Sequence, residues 1–225
     1  MVRHEAGEAL GAIASPKCIA LLKSFLTDPS APVRETCELA IARIEHYAPG
    51  GLAEREATQP LKRAPGEITF ESVDPAPAFI ELYSVPELES MMMDCSRTMF
   101  DRYRAMFSLR NRATPEAISA LCRGLKDESS ALFRHEVAYV LGQLQSPLSV
   151  EALAGVLADT EEIDMVRHEC AEAIGSVATP ECKVILEKFV QDPAQAVRES
   201  CIVALDIFTY ENDADAFQYA NFIKE

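Results

Sequence analysis

At 225 residues, 48% of them apolar, the chain is long enough to bury a full core, and no apolar run approaches the roughly 18 residues that span a membrane. A formal net charge of −15 argues against nucleic acid, whose binding is driven by phosphate neutralisation, and suits a basic or polyamine-like partner. The seven cysteines are odd in number and form no C-x-x-C pair, which reads as reduced thiols in a cytoplasmic protein.

Apolar residues recur at helical spacing through nearly the whole chain, and strand alternation is nearly absent. The predicted helices come in pairs. An arginine leads the second helix of each pair, at Arg3, Arg34, Arg102, Arg134, Arg167 and Arg198, mostly 31 to 33 residues apart. Helix starts are marked by Ser15-Pro16, Thr114-Pro115, Ser146-Pro147 and Thr179-Pro180, each with a hydroxyl at the N-cap and a proline at the first helical position. Asp28-Pro29 and Asp192-Pro193 mark turns between the two helices of a unit. The reading is all-α, a HEAT-repeat α-solenoid.

Residues 1–41 align without a gap to 165–205, at a constant offset of 164. Glu8, Gly11, Cys18, Asp28, Arg34 and Cys37 each find the identical residue 164 positions on. The solenoid is therefore expected as two pseudo-symmetric halves, 1–45 and 96–225, joined by a Pro/Gly-rich linker at 46–95. The linker's prolines and glycines rule out a long helix until the stretch near Pro86–Cys95, which has room for one short helix. Residues 214–222 are expected as a last amphipathic helix. The first half shows two units against four in the second, so the chain is expected to start within a repeat, with N-terminal repeats missing and no secretory leader.

Three of the four histidines lie in Arg-His-Glu, at His4-Glu5, His135-Glu136 and His168-Glu169. The arginine also leads units without the pair, so it reads as a framework residue. The His-Glu pair is instead added to three units only. Imidazole and carboxylate are the protein ligands of non-haem iron, zinc or manganese. Each pair falls in the first turn of a repeat's second helix, so pairs of stacked repeats are expected on a common face. His135, His168 and Glu169 would form one ligand set, and His4 and Glu5 would hold a second ion. His46 belongs to no such set and reads as a surface residue at a helix C-terminus. The Met91-Met92-Met93 run reads as packing. Phosphate-binding glycine loops, a Gly-x-Ser-x-Gly elbow and His-Glu-x-x-His are all absent.

These residues resemble the deoxyhypusine hydroxylase family. The likeness rests on Val2-Arg3-His4-Glu5-Ala6-Gly7-Glu8-Ala9-Leu10-Gly11, Phe133-Arg134-His135-Glu136, Met165-Val166-Arg167-His168-Glu169-Cys170-Ala171-Glu172 and Ser72-Val73-Asp74-Pro75-Ala76-Pro77. The resemblance implies a monooxygenase with two Fe(II) ions per active site. It would use dioxygen to hydroxylate deoxyhypusine, a modified lysine of a translation initiation factor. It implies iron ligands at His4, Glu5, His135, His168 and Glu169, with Glu136 holding the substrate amine. The family has four His-Glu pairs and this chain matches the last three, so the expectation is a truncated chain of low activity. A HEAT scaffold that binds the factor without oxidising it is the other reading.

Overall fold

The computed structural model describes residues 1–59, 64 and 66–212, and the expected helix at 214–222 lies outside them. Among the described residues the regular structure is entirely helical. The chain divides into two compact units, 1–133 and 134–225.

The first unit holds α1 (Val2–Ile13), a 3-10 turn (Pro16–Cys18), α2 (Ile19–Ser24), α3 (Ala31–Tyr47), α4 (Leu52–Ala57), α5 (Val85–Met93), α6 (Met99–Arg112) and α7 (Pro115–Gly124). Helix α8 (Ala131–Leu144) starts in its last residues. The second unit continues with a 3-10 turn (Pro147–Ser149), α9 (Val150–Ala158), α10 (Asp164–Val177), α11 (Pro180–Leu186) and α12 (Gln195–Asn212).

The Ser/Thr-Pro signals do what their chemistry allows. Thr114 and Thr179 accept hydrogen bonds from the backbone N–H of Ala117 and Cys182, which satisfies one orphan donor of each helix start. Ser146 does the same for Leu148, whereas the Ser15 hydroxyl makes no cap bond. Each signal follows a single residue in the left-handed region, at Ala14, Ala113, Gln145 and Ala178. One left-handed residue and one extended hydroxyl residue thus turn each long helix into the next short one.

Glycine sets how closely successive long helices cross. A Cβ built on Gly11 of α1 would stand 2.8 Å from the Cβ of Ala40 on α3. The duplicate position, Gly175 of α10, gives 2.6 Å to Ala204 of α12, with the Ala204 Cα at 2.9 Å. Gly142 of α8 meets Ala173 of α10 in the same way. A buried helical glycine is usually improved by alanine, by up to about 1 kcal/mol. At Gly175 the overlap falls on backbone, and overpacking of about 1–3 kcal/mol wins. Gly175→Ala is expected to lower the melting temperature by several degrees, measured by circular dichroism; an unchanged or raised value would mean the crossing can relax.

The framework arginines have partners at a fixed spacing. Arg3 pairs with Asp28, Arg102 with Asp127 (2.5 Å) and Arg167 with Asp192 (2.6 Å), each aspartate 25 residues on. Each aspartate also caps the turn that carries it, accepting from the N–H of Ser30, Ser129 or Ala194. Arg34 and Arg198 donate to the backbone carbonyls of Asp28 and Asp192. One aspartate therefore ties together the turn and the arginines of two repeats. Arg134 breaks the spacing and takes Glu162 instead, at 2.5 and 2.7 Å.

The linker carries two short helices, and Ile68, Asp74, Pro77, Phe79 and Tyr83 between them are hydrogen-bonded to α6. The Asp74 carboxylate takes both terminal nitrogens of Arg110 at 2.8 and 2.7 Å, and its carbonyl takes Arg43 Nε at 2.9 Å. The Arg110 guanidinium lies between the rings of Phe70 and Phe107, and Ala76 is fully buried. Helix α5 opens with a capping box, Ser84 with Glu87, where the short helix was expected. Met92 is completely buried, as a packing methionine should be. His46 corrects the sequence reading. It is buried, its Nε2 lies 3.7 Å from a Glu56 carboxylate oxygen, and its ring packs on Tyr47 and Phe100. Burial lowers its pKa and disfavours the charged ring, so His46 is a buried residue of the last turn of α3 rather than a surface one.

Candidate metal centre

The second unit brings His135, His168 and Glu169 together. His135 lies in α8 and the other two in the first turns of α10, and all three side chains are buried. The local fold fixes these helix starts through the arginine just before each histidine. Arg134 is held by Glu162, while Arg167 is held by Asp192 and by the Leu157 carbonyl. The histidine that follows each anchored arginine is carried to a fixed position.

His135 Nε2 lies 3.2 Å from a Glu169 carboxylate oxygen, and the two imidazole rings are 5.5 Å apart, tilted by 47°. One ligand atom from each of His135, His168 and Glu169 lies within 4.8 Å of the others. Glu136 is also buried, but it is not one of the three residues so grouped. In the first unit, His4 of α1 is almost wholly buried, while the Glu5 side chain is 57% exposed, their Nε2 and Oε1 atoms 3.5 Å apart.

His168 shows what the group can do. Its Nδ1 lies 3.4 Å from Glu172 Oε1. A carboxylate only accepts, so this contact is a hydrogen bond in the tautomer with the proton on Nδ1, which leaves the Nε2 lone pair open. That bond holds the Glu172 carboxyl below its ordinary range, helped by the Ser200 hydroxyl, which donates to the same oxygen at 2.9 Å. Nε2 is buried and has no hydrogen-bond partner among the described residues. A buried acceptor left unmatched costs about 1–3 kcal/mol, and a cation at that lone pair would remove the penalty. Two imidazoles and a carboxylate are the ligand set of non-haem iron with open positions. The residues therefore fit the metal that the His-Glu pattern points to.

Cys170 lies next to Glu169, and burial pushes its thiol well above the ordinary value. It is a core thiol, outside the group that could hold a metal. Glu172 and Ser200 were not among the residues singled out from the sequence. The signal was present: Glu172 follows His168 by four residues, as Glu8 follows His4, and residues four apart share a helix face. Ser200 fills, in α12, the place that glutamate fills in an Arg-His-Glu unit.

Residues 85–173 match the HEAT repeats family model, and residues 2–28 match the PBS lyase HEAT-like repeat. Deoxyhypusine hydroxylase of Rattus norvegicus is 52% identical over 225 residues, covering 98% of this chain and 69% of the relative. That of Drosophila melanogaster is 47% identical over 221 residues, with the same coverage. Among solved structures, human deoxyhypusine hydroxylase in complex with glycerol superposes with a TM-score of 0.81 at 48% identity, over 93% of this chain and 68% of that one.

Proposed function

The chain belongs to the deoxyhypusine hydroxylase family, and we propose that it hydroxylates the deoxyhypusine side chain of a translation initiation factor through a non-haem iron centre built from its His-Glu pairs. His135, His168 and Glu169 would hold one Fe(II), and His4 and Glu5 would supply ligands to a second. The observation that carries the reading is the buried triad with its open His168 nitrogen. Iron, when bound, supplies the chemistry that activates dioxygen for insertion into a C–H bond.

The remaining work falls to the chain's own side chains. Burial of His135, His168 and Glu169 excludes bulk water from the ligand atoms. Glu172 holds the proton-bearing face of His168, so the ring presents Nε2. Glu136 is assigned to the substrate amine, because a buried carboxylate suits a cationic, polyamine-like side chain. An acidic net charge of −15 favours approach of a basic protein loop.

The test is turnover by the iron-loaded chain on a protein bearing deoxyhypusine, with dioxygen and a reductant, read by mass spectrometry as a gain of one oxygen. Glu136→Gln is expected to raise KM by roughly 10–100-fold, the loss of one charge-assisted hydrogen bond, with iron content unchanged. Tight binding of the substrate protein by the iron-loaded wild-type chain, without hydroxylation, would favour a scaffold instead.

A further inference from the structure

His168 makes one hydrogen bond through Nδ1 and none through Nε2 among the described residues, and the partner of that one bond is itself held in place. Glu172 Oε1 receives the Ser200 hydroxyl from α12 at 2.9 Å, while Ser176 closes on the Glu172 carbonyl at 3.1 Å. Ser200 is 8% exposed, so its hydroxyl is shielded from competing water. We propose that Glu172, steadied by Ser200, is a positioning residue that locks His168 in the Nδ1-protonated tautomer and so reserves Nε2 for the metal. The inference rests on the metal reading above and deepens it by assigning a residue outside the ligand set.

The physical reason is the equivalence of the two ring nitrogens in a free imidazole. Without a fixed acceptor at Nδ1, the proton divides between two tautomers and the ring can rotate. Each tautomer with Nε2 protonated must shed or move that proton before a metal binds. A carboxylate at Nδ1 removes this competition and makes the ring a better donor. The hydroxyl at Ser200 serves the same purpose one step out, because it restrains the carboxylate. The 164-residue duplication places His4, Glu8 and Thr36 in the same register in the first unit, but there the Thr36 hydroxyl has no hydrogen-bond partner among the described residues. The hydroxyl support is therefore assigned to Ser200 of the second unit.

The test uses the full chain and two independent readouts. With four histidines in the sequence, long-range ¹H–¹⁵N spectra of the metal-free protein can be assigned through loss of the His168 signals in His168→Gln. Wild type is expected to show His168 protonated on Nδ1, with Glu172→Gln relaxing that preference. Titration with Co(II) alone, followed by its visible spectrum, is expected to show a Kd weaker by roughly 10–100-fold in Glu172→Gln, and a smaller loss in Ser200→Ala. Ser200→Ala removes one hydroxyl and keeps the test open should the glutamate variant fold poorly.

A wild-type His168 protonated on Nε2, or a tautomer that neither variant alters, would overturn the proposal whatever the metal does. So would Co(II) affinities within twofold of wild type in both variants. A wild-type protein that takes up no Co(II) but shows the expected tautomer would instead overturn the metal reading, and with it the purpose assigned to Glu172. Because the tautomer is read without metal, the two failures are distinguishable.

Discussion

His168→Ala is expected to abolish metal binding by the second unit. The variant removes the imidazole whose Nε2 is open, and it leaves His135 and Glu169 as two donors 3.2 Å apart that can satisfy each other. Loss of an outer-shell partner costs roughly 10–100-fold in metal affinity, so loss of a ligand should exceed that range. Hydroxylation should fall below detection while the helical circular dichroism spectrum is retained. The imidazole takes no part in the Arg167–Asp192 pair that anchors the start of α10, so the helical fold is expected to persist. Retention of wild-type iron content and turnover would show that the triad is not the centre.

The second large effect concerns the framework. Asp192→Ala would leave the Arg167 guanidinium buried, with only the Leu157 carbonyl as a partner among the described residues. Breaking a buried pair from one side typically costs about 3–5 kcal/mol, because the remaining charge is uncompensated. It also frees the Ala194 N–H that Asp192 caps. The expected loss, about 3 kcal/mol or more, corresponds to a fall in melting temperature of roughly 6–12 °C for a chain of this size. Arg167 immediately precedes His168, so metal affinity should fall with stability. Asp192→Ala with an unchanged melting temperature would mean that the pair is replaceable by solvent.

The same pair fixes a pH dependence. The bond to Arg167 depresses the Asp192 pKa below its ordinary 3.8. A depressed carboxyl contributes stability that is complete above the unfolded value and is lost as the pH falls through the folded one. Acid unfolding of the wild type should therefore steepen below about pH 4, and the melting-temperature gap between wild type and Asp192→Ala should narrow there.

The repeat was legible because its punctuation is local. A hydroxyl followed by proline, or an aspartate before a turn, acts on backbone groups within a few residues, so the sequence displays both partners. The His-Glu pairs were legible for a related reason, since they stand out against units that have the arginine and lack the pair. Residues whose partners come from elsewhere were harder to place. His46 looked like a helix end open to solvent, because Glu56 and Phe100 arrive from other elements. The linker's prolines excluded long helices correctly, but nothing local told that Asp74 would be clamped by Arg43 and Arg110, 31 and 36 residues away. Glu172 and Ser200 fall between these cases. The spacing of four was visible, yet a serine standing where other units have glutamate read as an absence, although here its hydroxyl takes up a supporting role.

The most direct measurement is an anaerobic ferrous titration of the 225-residue chain against a chromophoric chelator, with iron counted per chain. The expected result is at least one Fe(II) retained per wild-type chain, and its loss in a His135→Ala, His168→Ala double variant that still gives a helical spectrum. Wild-type protein that yields all its iron to the chelator, or a double variant that holds as much as the wild type, would contradict the assignment of the metal centre to the His-Glu pairs.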